Sequence, residues 1–349
     1  MNRFIAGFLG LGLLLVIAGY LAYQNYLTQP LGAEAEGYAL VIERGSALRQ
    51  VANQLEADQI LRWPALFALH ARLEGVAGHI QAGEYVLSSE DTADSLLTML
   101  VTGQVKLYSL TVIEGWTVAE LLTAIRAHPA IKQTLQGRAT SGERVGEWLA
   151  EALELGYPHA EGLFFPDTYR FPKGMTDVEF LLRANAVMLE QLRLAWEDRS
   201  PETELKTPYE ALILASIVER ESALHTERPE IAGVFVRRLQ KGMRLQTDPT
   251  VIYGLGEQFD GNLTRRHLRT DNPYNTYTRK GLPPTPIALP GASSLKAALN
   301  PADGDTLFFV ATGNADGSHY FSKTLEAHNA AVARYLKTLK NRSGQEASP

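Results

Sequence analysis

Residues 207–256 read TPYEALILASIVERESALHTERPEIAGVFVRRLQKGMRLQTDPTVIYGLG, and the rest of the chain is organised around them. Thr207 comes before Pro208 and Glu210, which is the pattern of an N-cap, a first-turn proline and a capping-box acid. The pattern predicts a helix that begins at about Pro208. Residues 211–218 are almost all apolar, so we expect other elements to enclose this helix on most sides.

The apolar helix ends in an acidic pair, Glu219 and Glu221, with Arg220 between them. Glutamate is rarely buried without a partner, so a carboxylate at this place needs an explanation. An apolar surround and the negative end of a helix both disfavour the ionised form, whereas Arg220 favours it. If the first two effects dominate, Glu219 carries a proton near neutral pH, as a general acid must.

The composition excludes several classes of protein. The chain has 349 residues, 45% of them hydrophobic and 21% charged, so it is long enough for two globular domains. Its net charge of −6 argues against nucleic-acid binding. It has no cysteine, its histidines are scattered, and it lacks the G-x-S-x-G and P-loop motifs. We therefore expect no metal site, no cofactor and no serine or cysteine nucleophile.

An uncharged apolar run fills residues 4–23 and is long enough to span a bilayer. A cleaved signal peptide is the competing interpretation, because residues 33–35 (AEA) resemble a cleavage site. The run is too long for a signal-peptide core, and that site lies well beyond its end. Arg3 precedes the run and no basic residue follows until Arg44, so we expect a cytoplasmic N-terminus and a body outside the inner membrane.

The rest of the chain predicts an α+β fold in two parts. A weak repeat relates residues 41–46 (VIERGS) to residues 112–117 (VIEGWT), each a strand, a glycine turn and a helix cap. Residues 38 to about 108 have a predicted β-α-α-β character, which suits a small binding module. The predicted segments are a cytoplasmic N-terminus (1–3), a transmembrane helix (4–23), a linker (24–37), a small module (38–108), a larger domain (109–340) and a disordered tail (341–349).

The remaining chemistry is that of carboxylates. Glycosidases use two carboxylates that face one cleft, and the obvious pair is Glu219 with Glu221. Two residues apart on a helix they point to opposite sides, so Glu221 is expected to support the fold. Asp248 is another candidate, although Asp before Pro also forms turns. The aromatic segment EGLFFPDTY at 161–169 is either a sugar-stacking surface or, as we favour, a core plug.

The chain resembles the endolytic murein transglycosylases, the MltG or YceG-like family. Five segments carry the resemblance: EGLFFPDTY (161–169), LASIVERES (214–222), VFVRRLQKGMRLQTDPTVIYGLG (234–256), YNTYTRKGLPP (274–284) and PGASSLKAALNP (290–301). The resemblance covers nearly the whole chain. It implies a single-span inner-membrane protein with a periplasmic LysM-like module at 38–108 and a catalytic domain at 109–340 that cuts glycan strands internally.

The resemblance places the catalytic glutamate of the family on Glu219. There it would protonate the glycosidic oxygen between N-acetylmuramic acid and N-acetylglucosamine, while the muramic 6-hydroxyl attacks the anomeric carbon and leaves a 1,6-anhydro end. No cofactor is implied. The implied partners are glycan strands and, with less support, peptidoglycan synthases such as penicillin-binding proteins. The candidate substrate-binding residues are Gln246, Thr247, Asp248, Tyr253, Asn275 and Tyr277.

The chain departs from the family pattern at Thr285, where the family usually has Gly, and at Leu289, where it has Asn or Thr. Two other functions remain open. A hydrolytic muramidase would position water with Asp248 or Glu221 and leave a reducing end. A non-catalytic scaffold would bind peptidoglycan and hold the elongation machinery together.

Overall fold

The computed structural model describes residues 2–135, 145–201 and 203–346. About 49% of the chain is helical and 10% is strand, which agrees with the predicted mixture of helix and sheet. The chain forms two compact units: Met1–Ser109 with Arg170–Met175, and Leu110–Tyr169 with Thr176–Pro349. Residues 170–175, which we predicted to lie in the larger domain, therefore belong to the first unit.

The first unit surrounds a small antiparallel ribbon. Its elements are α1 (Asn2–Thr28), β1 (Ala39–Ile42), α2 (Leu48–Ala57), α3 (Pro64–Leu73), β2 (Gly83–Val86) and α4 (Ala93–Thr102), followed by β3 (Leu107–Thr111), which continues into the second unit. β1 pairs with β2 in a register that sets Ala39 opposite Val86. The order β1-α2-α3-β2 is the predicted β-α-α-β order, and Leu40, Phe67 and Tyr85 fill its core.

The N-terminal helix α1 is longer than predicted. Its residues 9–28 are the one helix in the described part of the chain that is long and apolar enough to cross a membrane. The predicted linker at 24–37 is packed in part against the first unit, because Tyr26, Leu27 and Ala35 are buried in the core of that unit. The polar, Pro- and Gly-containing composition of this segment hid the apolar residues that hold it down.

Helix α8 is the centre of the second unit. The helices of this unit are α5 (Val118–Ala127), α6 (Val145–Ala152), α7 (Asp177–Glu197), α8 (Pro208–Glu221), α9 (Arg228–Gln240), α10 (Asp248–Leu255), α11 (Arg265–Arg269), α12 (Ala292–Leu299) and α13 (Leu325–Glu346). The Thr207 hydroxyl accepts a hydrogen bond from the Glu210 N–H at 3.1 Å, which is the predicted cap. Every residue from 211 to 219 is buried, and α7, α9, α10 and α12 pack around the helix.

The other strands form short ribbons: β4 (Ile131–Lys132) with β6 (Met175–Thr176), β3 with β5 (Thr168–Pro172), and β7 (Phe308–Ala311) with β8 (His319–Ser322). Leu163 and Phe164 are fully buried, so the segment 161–169 is a core plug. Residues 341–346, the first part of the predicted tail, continue α13. No proline interrupts them, and the single Gly344 costs a helix only about 1 kcal/mol. Residues 347–349 lie outside the described part.

Candidate active site

Glu219 lies in the last turn of α8, and its side chain is only 4% exposed. Arg228 holds both of its carboxylate oxygens. Nη2 of Arg228 donates to Oε1 at 2.6 Å and Nη1 donates to Oε2 at 3.3 Å. The backbone N–H of Gly291 donates to Oε2 at 2.9 Å. The carboxylate that the sequence singled out is therefore buried, ion-paired and an acceptor on both oxygens.

Three helix ends meet at this carboxylate. Glu219 is near the C-terminus of α8, Arg228 is the first residue of α9, and Gly291 is the N-cap of α12. Helix N-termini carry positive partial charge and favour a negative group nearby. These contacts are those of an ionised carboxylate. A proton on Glu219 thus requires that at least one of these donors move away.

The cation beside Glu219 is Arg228 and not its neighbour Arg220, which we had considered from the sequence. Nη1 of Arg220 donates to the carbonyl oxygen of Gly115 at 3.0 Å. The Arg228 guanidinium also donates from Nη1 to Oγ of Ser293 at 2.6 Å, and that oxygen is 2.9 Å from Nδ1 of His225. Glu219 of α8 and Ser293 of α12 therefore both hold the buried guanidinium of Arg228.

A second carboxylate, Glu114, approaches the same guanidinium. Its Oε2 is 3.7 Å from Nη1 of Arg228, and its side chain is 40% exposed. The backbone next to it is anchored to Leu289: the Gly115 N–H donates to the Leu289 carbonyl at 2.9 Å, and the Leu289 N–H donates to the Trp116 carbonyl at 2.7 Å. Leu289, one of the two departures from the family pattern, is itself fully buried.

Glu221 points away from Glu219 into a different group of side chains, as the helical spacing predicted. Its Oε1 accepts a hydrogen bond from Oγ1 of Thr247, and Tyr277 donates through its hydroxyl to Oδ1 of Asp248 at 2.5 Å. Burial raises the pKa of Glu221 to about 7; the Thr247 hydrogen bond opposes the shift and the nearby charge of Asp248 adds to it. Asp248 is exposed, so it is the member of this group that a ligand can reach.

A buried hydrogen-bond network surrounds Glu161 at the start of the core plug. The N–H of Val118 donates to its Oε1 at 3.0 Å, and the hydroxyl of Tyr253 donates to its Oε2 at 3.0 Å. Burial raises the pKa of the Glu161 carboxyl to about 8. Tyr274 packs edge-on against Tyr253 and its hydroxyl lies 2.8 Å from Oγ1 of Thr285, the other departure from the family pattern. Tyr253 thus belongs to this network.

Asn275 and Gln246 shape loops in different ways. Asn275 is fully buried, and its side-chain amide donates to three carbonyl oxygens, those of His267, Leu268 and Thr270. Gln246 is exposed with φ of +52°, a conformation that is uncommon outside glycine, and its N–H donates to the Thr276 carbonyl at 3.2 Å. Of the two, only the Gln246 side chain is free to face a ligand.

The sequence alone did not identify Arg228, Gly291 or Glu114. Arg228 is visible as a basic residue just before the proline of a predicted helix, and Gly291 lies in a shared segment. In the sequence, Glu114 stands out only as part of the repeated VIEGWT pattern. Their meeting depends on long-range packing, which no local pattern records. Among the described residues, no group of three or more His, Cys, Asp or Glu could hold a metal ion.

Comparisons with known proteins lead to one family and to relatives that are named murein transglycosylases. The YceG-like family matches residues 40–334. An endolytic murein transglycosylase of Bacillus subtilis is 30% identical over 342 residues, covering 93% of this chain and 92% of that protein. One from Streptococcus pneumoniae is 27% identical, covering 98% of this chain and 66% of that protein. A crystal structure of a YceG-like protein from Listeria monocytogenes, 29% identical, superposes with a TM-score of 0.52 over 84% of this chain.

Proposed function

Because the chain belongs to the YceG-like family, we propose that it is an endolytic peptidoglycan transglycosylase with Glu219 at its catalytic centre. The names of the Bacillus and Streptococcus relatives support the activity. The observation that carries the residue assignment is the burial of Glu219 where three helix ends meet, paired with Arg228 and the Gly291 N–H. A structural ion pair alone does not require a carboxylate at the end of an apolar core helix.

The proposed reaction breaks the β-1,4 bond between N-acetylmuramic acid and N-acetylglucosamine. A protonated Glu219 donates its proton to the leaving glycosidic oxygen as the bond to the anomeric carbon breaks. The 6-hydroxyl oxygen of the same muramic acid bonds to that carbon and releases its proton to a carboxylate. The product is a 1,6-anhydro end, no water is consumed, and no cofactor takes part.

Substrate binding must expose Glu219 for this chemistry. In the described arrangement both of its oxygens face donors and only 4% of the side chain is accessible. We therefore assign the binding of the glycan strand to a conformation in which Arg228 releases at least one oxygen. Gln246, Asp248 and Tyr277 are the proposed contacts with the sugars, while Thr247, Tyr253, Asn275 and Glu221 hold the surrounding loops.

The remaining parts of the chain fit an enzyme that works next to a membrane. Helix α1 has the length and composition of a single-pass anchor. We propose that the N-terminus is cytoplasmic, that the body is periplasmic, and that residues 38–108 form a LysM-like module for glycan strands. Cleavage of nascent strands would limit their elongation and would bring the enzyme close to peptidoglycan synthases.

The test is mass spectrometry of purified peptidoglycan after digestion by the full-length chain in detergent, next to its Glu219→Gln variant. We expect anhydro-ended fragments from the wild type and a loss of about 100-fold or more in the variant, the usual scale for a general acid. Glu257→Gln, a change of an exposed glutamate, is the matched control. Reducing ends would indicate a muramidase, and no cleavage of any substrate would favour the scaffold.

A further inference from the structure

Glu114 and Glu219 share one guanidinium nitrogen. Nη1 of Arg228 is 3.3 Å from Oε2 of Glu219 and 3.7 Å from Oε2 of Glu114, so these two oxygens are at most about 7 Å apart. Paired carboxylates in glycoside-cleaving enzymes are separated by about 5 to 9.5 Å. The separation therefore allows both carboxylates to contact one sugar residue.

The two carboxylates differ in their access to solvent. The Glu219 side chain is 4% exposed, whereas that of Glu114 is 40% exposed. A glycan strand that approaches Glu219 from the side of Glu114 meets Glu114 first. The neighbouring residues Gly115 and Trp116 are held by backbone hydrogen bonds to Leu289, two positions before Gly291. Glu114 is therefore carried on an anchored segment next to the N–H that contacts Glu219.

Gly291 leaves the space that Glu114 occupies. A Cβ atom at position 291 would lie 1.9 Å from Oε1 of Glu114, much closer than any real contact. Gly291 does not have a positive φ, so its backbone conformation does not require glycine. The absence of a side chain at this position thus serves the placement of Glu114.

We propose that Glu114 is a second catalytic carboxylate, which accepts the proton of the attacking hydroxyl while Glu219 donates a proton to the leaving oxygen. This inference rests on the proposed function. The bond between the muramic C6 oxygen and the anomeric carbon forms as the glycosidic bond breaks. One proton moves from the C6 hydroxyl to Glu114 and one from Glu219 to the leaving oxygen. Nothing is oxidised or reduced.

In this mechanism the positive charge of Arg228 faces one ionised carboxylate both before and after cleavage. Before cleavage Glu114 is ionised and Glu219 is protonated, and after cleavage the charges are exchanged, so one cation balances one anion throughout. In the described arrangement Arg228 donates to Glu219 at 2.6 Å and lies 3.7 Å from Glu114, so the guanidinium is within reach of both carboxylates. Transfer of a proton from Glu114 to Glu219 through water resets the site. Arg220 and His225 face the same region through Gly115 and Ser293.

The other candidates for a second carboxylate are less suitable. Glu221 is turned to the opposite side of α8 and accepts from Thr247. Asp248 accepts from Tyr277, and neither acid contacts Arg228 or Glu219 in the described structure. Glu114 is thus the acid that the geometry assigns to this role.

The test measures kcat and KM for full-length Glu114→Gln and Glu114→Asp in detergent on uncrosslinked glycan strands, with Glu257→Gln as the control. We expect kcat of Glu114→Gln to fall by about 10² to 10⁴ with KM nearly unchanged. The shorter acid should keep part of kcat. In Glu114→Ala, formate should restore part of the activity relative to chloride at equal ionic strength, because it supplies a carboxylate to the vacated space. A purely structural residue gives no such rescue.

Gly291→Ala tests the same inference without changing Glu114. The new Cβ displaces the flexible carboxylate of Glu114, so kcat should fall while the melting temperature stays close to that of the wild type. This variant also decides the question if Glu114→Gln fails to fold. The inference is overturned if folded Glu114→Gln keeps kcat within about threefold of the wild type, or if formate restores nothing. In either case an inactive Glu219→Gln leaves the proposed function intact, whereas an inactive wild type overturns both.

Discussion

At the level of single residues, Glu219 and Arg228 form a buried ion pair at the proposed catalytic centre. Burying two charges carries a large desolvation penalty. Both side chains are about 4% exposed, so each charge depends on the other for stabilisation. Removing one partner of a buried ion pair usually costs about 3 to 5 kcal/mol because the other charge is left alone. An apolar pair of similar size would serve stability as well at this place, so stability alone does not explain the two charges.

Arg228→Met should therefore lower the free energy of unfolding by about 3 to 5 kcal/mol at neutral pH. The double variant Glu219→Gln with Arg228→Met should recover part of this loss, because no unpaired charge remains. Thermal or denaturant unfolding of the two single variants and the double variant measures the coupling. Additive losses would show that the two charges do not depend on each other. Both variants that lack Arg228 should be inactive.

Glu161 should make the protein less stable as the pH rises. Burial raises the pKa of its carboxyl from an ordinary 4.5 to about 8 in the folded chain. Between these values the unfolded chain has lost the proton that the folded chain keeps, so the free energy of unfolding falls with increasing pH. The effect of Glu221, with a pKa of about 7, has the same sign over a narrower window.

Glu161→Gln removes the larger of these two effects. The melting temperature of this variant should fall less than that of the wild type between about pH 5 and pH 8, since each pKa unit corresponds to about 1.4 kcal/mol. Calorimetry at several pH values checks the slope, and Glu257→Gln should keep the slope of the wild type. An unchanged slope in Glu161→Gln would place the titrating group elsewhere.

At the scale of elements, Gly233 shows how a tertiary contact reverses a local preference. In a helix interior, replacing Gly with Ala usually stabilises by about 1 kcal/mol. In α9, a Cβ at this position would lie 2.5 Å from the carbonyl oxygen of Ala302, and backbone cannot move aside as a side chain can. We expect Gly233→Ala to destabilise by about 1 to 3 kcal/mol. A higher melting temperature for this variant would contradict the packing of α9.

The elements that the sequence predicted well are those with a complete local signal. Thr207 and the apolar residues after it predicted α8, and Thr176 with Glu179 predicted the capping box of α7. The site was predicted only in part, because Glu219 stands out at the end of an apolar helix whereas its partners come from distant segments. Arg228 is nine residues away in sequence, but Gly291 is 72 away. Contacts over such separations depend on how the helices pack.

At the level of the whole molecule, the chain departs from its local composition in two places. The polar residues, Pro and Gly of the segment 24–37 predict a linker, but Tyr26 and Leu27 are 7% and 6% exposed. The boundary between the units does not follow the sequence either, because residues 170–175 return to the first unit. A composition describes how a segment would behave alone, whereas burial depends on the surfaces that the rest of the chain offers.

The first unit should consequently depend on the end of α1. Tyr26 and Leu27 belong to its core. The hydroxyl of Tyr23 lies 2.8 Å from Nδ1 of His70. The Leu31 N–H donates to the Asp91 carbonyl at 2.7 Å. A fragment that starts at residue 38 loses all of these contacts, whereas one that starts at residue 22 keeps them. Full burial of each such large side chain stabilises by about 1.5 to 3 kcal/mol.

We therefore expect the fragment 38–349 to show an early melting transition of the first unit that the fragment 22–349 lacks. Calorimetry of both fragments, beside the full chain in detergent, measures this difference. The transition of the second unit should be the same in both, because its residues are unchanged. Equal profiles would mean that the segment 22–37 is a tether after all. The expected result would instead make the end of the apolar helix part of the fold, so that the first unit begins within the last turns of α1.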